Sequence, residues 1–168
     1  MSQTVMPNDL LVSGNITSKT MNIPAGAVND AAVAAAAGVQ ASKLQHQHEC
    51  EYSQPGAQNA AVERKVVHIV RGATGLVGDF QVGARVAATG NATATIDLQS
   101  NGVSLLTGQI TLDSTTAAYV LKAGSLAAGA LTLAAGNVIE VVISAVNAGS
   151  GALAQGLFAE ANIREDAQ

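Results

Sequence analysis

From about residue 51 onward, hydrophobic positions fall in short runs that alternate with polar ones, and turn residues interrupt them roughly every 8 to 12 positions. This texture predicts an all-β fold, an antiparallel β-sandwich. Strands are expected near 62–71, 76–87, 92–99, 104–112, 116–122, 137–146 and 153–163, with an eighth short one near 130–133. The sharpest signal is the hairpin from Thr93 to Asp113, where Asn101-Gly102 separates two alternating arms and tolerates the positive φ of a tight turn. Ile96 and Leu98 are expected on one face of the sheet, with Thr95 and Asp97 on a wet opposite face. Residues 137–146 are apolar on both parities through Val138, Ile139, Val141, Val142, Ile143 and Val146, which predicts a central strand whose Glu140 must be exposed or paired. Gly72 to Gly78 reads as a hairpin loop. Gly136-Asn137 and Gly149-Ser150-Gly151 leave no room for crossover helices, so antiparallel neighbours in a jelly-roll or Greek-key arrangement are expected.

Upstream the pattern changes. Residues 1–28 hold Pro7 and Pro24 and keep neither a period of two nor one of 3.6, so they read as an extended arm. Such an arm reaches roughly 90 Å at about 3.3 Å per residue; the plainer alternative is a frayed tail. Asn29 and Asp30 suit an N-cap before the helix formers Ala31 to Ala37, and the helix weakens at Gly38 and can resume through Leu44. Val33, Ala37, Ala41 and Leu44 then form one narrow apolar stripe, which packs either on partner helices or on the chain's own sandwich. The expected organisation is an arm over 1–28, a short helix and connector over 29–50, and the sandwich over 51–168.

Composition narrows the function. A chain of 168 residues, 48% hydrophobic, suffices for one core plus an appendage, and the single Cys50 rules out an intrachain disulfide. The net charge is -4 and the eight basic residues are scattered, so no cluster is available to neutralise a phosphate backbone and nucleic acid is not an expected partner. Aromatic residues make up 2%, namely Tyr52, Phe80, Tyr119 and Phe158, which leaves few flat faces on which sugars or bases could stack. No apolar run approaches the roughly 18 residues of a membrane span, and Met1 to Asn8 lacks the pattern of a secretion signal. Membrane partners are not expected, and synthesis in a cytoplasm is.

Candidate chemistry concentrates in Gln45 to Tyr52. If this stretch is extended, His46, His48 and Cys50 share one face, and a trimer would bring six histidines to its axis, where they could bind a transition metal. The alternative is a solvated junction with Cys50 as a small buried filler. No other cofactor is expected. Within the β region, alternation places His68 on one face with Val66 and Val70, as a satisfied or solvent-facing strand histidine. The chain has no Gly-x-Ser-x-Gly elbow, and Gly72 to Gly78 lacks the ending of a phosphate loop. Asp79, Asp97, Asp113 and Glu140 stand singly, as solubility charges on a sheet face, and the Asn15 and Asn91 sequons read as chance matches. An enzyme is not expected, and no catalytic residues are assigned.

Two sets of residues carry a family resemblance. Ile23-Pro24-Ala25-Gly26-Ala27-Val28-Asn29-Asp30-Ala31-Ala32-Val33, followed by Ala36 to Leu44, resembles the connector of bacteriophage fibre and virion-surface proteins. Ala94 to Gly102 and Gly136-Asn137-Val138-Ile139-Glu140-Val141 are similar to segments of phage head-decoration or head-fibre proteins. The resemblance implies a structural homotrimer on the outer surface of a capsid, bound to the major capsid protein. Ile23, Val28, Val33, Ala37, Ala41 and Leu44 would then make trimer or capsid contacts. A single connector without repeats implies a compact knob rather than a long stalk. The alternative is a receptor- or glycan-binding adhesin whose loops at 72–78 and 147–152 meet a ligand.

Overall fold

The computed structural model describes residues 45–166; the arm, the helix and the contact set Ile23, Val28, Val33, Ala37, Ala41 and Leu44 lie outside them. Among the described residues there are ten strands: β1 (His46–Ser53), β2 (Glu63–Ile69), β3 (Thr74–Val86), β4 (Ala92–Ser100), β5 (Val103–Ser104), β6 (Ile110–Leu112), β7 (Lys122–Ala123), β8 (Leu133–Ala134), β9 (Val138–Asn147) and β10 (Gln155–Glu165). One sheet runs β1-β10-β3-β7 with β8 beside β3, and the other runs β2-β9-β4-β5 with β6 beside β4. Every pairing is antiparallel. From β1 to β4, and again from β8 to β10, each strand lies in the other sheet from the one before it, which is the connectivity of a jelly roll. No helix among the described residues is long and apolar enough to cross a membrane.

Alternation builds the core. Phe80, Val82, Ile96, Leu98, Ile139, Ile143, Leu157 and Ile163 project between the sheets and are almost completely buried. β9 lies between β2 and β4, the central position that its apolar residues on both parities predict. Its Glu140 is paired, accepting from Arg64 Nη1 at 2.8 Å. The tight turn is also present, with Asn101 at φ 49° and Gly102 at φ 84°. The arm after it divides into β5 and β6, because Leu105 and Leu106 turn inward to close one end of the core and Leu106 pairs with Leu126 instead.

Several expectations are corrected. Asp97 is not a solvated charge: it is 2% exposed and accepts from Ser104 Oγ at 2.7 Å and Gln99 Nε2 at 2.9 Å. The strand expected at 116–122 is reduced to Lys122–Ala123, and a 3-10 turn at Ala128–Leu131 buries Ala130 where a strand was expected near 130–133. Gly72 does not lie in a hairpin loop, since β2 and β3 belong to different sheets and the chain arches between them. The polar stretch around His48 is not a junction outside the fold but the edge strand β1, whose Cys50 and Tyr52 enter the core.

Candidate functional site

β1 and β2 are the outermost strands of their sheets on the same side of the sandwich, so the core would lie open between them. The positions of inward parity there carry residues with polar ends, those at the rim remaining exposed. On β1 these are His46, His48, Cys50 and Tyr52, which oppose Glu165, Ile163, Ala161 and Ala159 of β10. On β2 they include Glu63 and Lys65, opposite Ile143 and Val141, and then His68, opposite Ile139. Charged and polar side chains aimed inward at an edge discourage further strand pairing.

His68 reaches this face through a β-bulge. The register shifts between Val66 and His68, so Val66 opposes Glu140 and faces out, while His68 opposes Ile139 and faces in. The expected grouping of His68 with Val66 is therefore wrong, whereas its grouping with the buried Val70 holds. His68 Nε2 lies 2.5 Å from Glu165 Oε1, with the two side chains 14% and 4% exposed. The other oxygen, Oε2, accepts the backbone N–H groups of Arg71 at 3.0 Å and Gly72 at 2.6 Å. One carboxylate thus ties the end of β10 to β2 and to the arch that follows it. Burial pushes the Glu165 carboxyl up, but the hydrogen bonds from His68, Gly72 and Arg71 and the His68 charge together outweigh it and hold the group below its ordinary range.

His48 completes the cluster, its ring centroid 4.8 Å from that of His68. The ligating atoms of His48, His68 and Glu165 all lie within 4.8 Å of one another. His46 is exposed and stacks on His48 at 6.4 Å between centroids. Of the expected metal pair, His48 belongs to this cluster of ligating atoms and His46 does not. Cys50 is buried, and its thiol is pushed up, first by burial and then by the charge of Glu165, so it remains a protonated filler.

A second polar closure sits further along the same seam. Tyr52 donates its hydroxyl to Glu63 Oε2 at 2.6 Å, and Gln54 both donates to and accepts from Ala61 at 2.9 and 3.1 Å. The Tyr52 hydroxyl, then the Gln54 amide, hold the Glu63 carboxyl below its ordinary range. Burial first, and then the bond to Glu63, push the Tyr52 hydroxyl well above its own. A depressed carboxyl contributes stability that is present above its unfolded pKa of about 4.3 and is lost as pH falls through the folded value. A raised phenol contributes stability that is present below about pH 10 and is lost as pH rises beyond it. Tyr52→Phe is therefore expected to cost about 1 kcal/mol at pH 7, toward the low end because Glu63 is open to water, and to flatten both limbs of the stability profile. Urea titrations from acid to alkaline pH measure this.

The segments 72–78 and 147–152, expected to meet a ligand in the adhesin alternative, lie toward opposite ends of β10. Gly75 pairs with Glu165 at the end of β10, while Gln155 at its start follows the 147–152 loop, so β10 separates them by roughly 30 Å at about 3.3 Å per residue. Sequence reasoning missed Glu165 entirely. The chain matches no protein-family model, and no curated protein matches it.

Proposed function

We propose that this chain is a non-enzymatic structural protein of a bacteriophage virion, which binds the outer surface of the capsid as a homotrimer and touches the major capsid protein, as a decoration or head-fibre protein does. It would be made in the host cytoplasm and displayed on the virion surface. The observation that carries this reading lies beside β3, where Tyr119, Val120 and Leu121 stand in succession at 71%, 49% and 50% exposure. Three consecutive large apolar side chains open to water are a surface suited to being covered by another chain. Tyr119 holds φ 61°, an uncommon and costly conformation for an aromatic residue, and its amide donates to Ala84 O at 2.8 Å. Leu121 shares a shallow groove with Phe158, Arg85, Glu51 and Glu160, which supplies charged groups around an apolar centre.

In this reading the arm and the stripe at Val33, Ala37, Ala41 and Leu44 anchor the chain, and the flank at Tyr119 to Leu121 adds contacts between sandwiches. The double change Tyr119→Ser with Leu121→Ser is expected to lower the solution mass of the full chain from trimer toward monomer without altering its circular dichroism; an unchanged mass removes this flank from the interface. Deleting residues 1–28 is expected to abolish binding to capsids while the sandwich stays folded, and binding that survives the deletion overturns the role of the arm.

A further inference from the structure

We propose that His48, His68 and Glu165 form a binding site for one zinc ion within each chain, a site that bridges the two sheets at the open side of the sandwich. The donor set is two imidazole nitrogens and a carboxylate oxygen, which suits zinc and its neighbours cobalt and nickel and does not suit calcium or magnesium, whose ligands are all oxygen. The three ligating atoms already lie within 4.8 Å of one another, whereas ligands around a tetrahedral zinc stand about 3.4 Å apart. Side-chain movements of about 1 Å, which draw His48 in and part His68 Nε2 from Glu165 Oε1, bring the three atoms to that spacing.

The surroundings are those of a metal site. Glu165 Oε2 is fixed by the amides of Arg71 and Gly72, which leaves Oε1 directed at His68 and orients the carboxylate as an outer shell does in metalloproteins. The ion would take the place of the short contact between His68 Nε2 and Glu165 Oε1. His48 and His68 are only partly covered, so an ion can enter from the edge and keep a water as its fourth ligand. Because β1 and β10 belong to one sheet and β2 to the other, the ion would staple the layers together where no strand does. The site is independent of trimer formation, unlike an axial cluster of His46 and His48.

The test uses the full-length, untagged chain stripped with chelator, then titrated with zinc chloride by calorimetry and with cobalt chloride by visible absorption. The expected results are about one ion per chain, the absorption of tetrahedral cobalt, and a melting temperature raised by several degrees that chelator reverses. His48→Asn is expected to abolish binding while preserving the fold, since His48 makes no bond to Glu165. His68→Asn should abolish it as well. His46→Asn should bind as the wild type does. Absence of binding at micromolar zinc, unchanged binding in His48→Asn, or loss of binding in His46→Asn would each overturn the proposal.

Discussion

Glu165→Ala is expected to be among the most damaging single changes outside the apolar core, lowering the unfolding free energy by about 3–5 kcal/mol. The carboxylate is 4% exposed and has three partners: His68 Nε2 and the amides of Arg71 and Gly72. Alanine removes the acceptor that all three share at the mouth of the core, and a buried donor that loses such a bond bears a desolvation penalty of its own. It also empties the space beside Gly72 that the carboxylate fills, where Oε2 stands 2.6 Å from the Gly72 amide nitrogen. Glu165→Gln is expected to recover part of the loss, because it keeps an acceptor for the two amides. Urea midpoints for the two variants check this. A loss within about 0.5 kcal/mol for alanine would mean that the arch between β2 and β3 does not depend on the carboxylate.

Gly151→Ala is the second large effect, expected at about 2–5 kcal/mol. Gly151 holds φ 105°, and a Cβ there would stand 1.9 Å from the carbonyl oxygen of Thr89. The neighbour is backbone, fixed by Thr89 N donating to Ala152 O and Asn91 N donating to Ser150 O, both at 2.9 Å. It cannot rotate away as a side chain would. Thr89 Oγ1 also accepts from Ala152 N at 2.8 Å, so the turn after β3 and the turn before β10 are joined on both sides of the clash. Relief therefore requires the two turns to separate. By contrast Gly83→Ala is expected to be mild, although an added Cβ would lie 2.6 Å from Phe158 Cζ, because the ring can swing outward. Equilibrium unfolding of both glycine variants separates the cases, and comparable losses would contradict the assignment of backbone as the obstacle.

Much of the sandwich was legible because its period of two is rarely interrupted. Ile96 and Leu98 turned inward as expected, Asn101-Gly102 made its turn, and the run at 138–143, apolar except for Glu140, marked a strand with neighbours on both sides. The end of β10 could have been read further. Leu157, Ala159, Ala161 and Ile163 share the inward parity, and two positions on the same parity is Glu165, a carboxylate where the core ladder predicts an apolar residue. The strand was expected to stop at residue 163, and the site was lost with it. The bulge at Val67 left no comparable trace, since Val66, Val67 and Ile69 are all strand formers and only pairing with β9 reveals the extra residue. The arches at Gly72 and Gly149 carry the same turn residues as hairpins, and composition does not say which sheet the next strand joins.

The central claim, a trimer that attaches to a capsid, is tested most directly by sedimenting purified phage heads with the full-length chain and measuring the mass of the unbound protein alongside. The account predicts that the chain pellets with the heads in fixed proportion, and that the free form has three times the mass of the 16.8 kDa chain. A chain that stays in the supernatant as a 16.8 kDa monomer would contradict it.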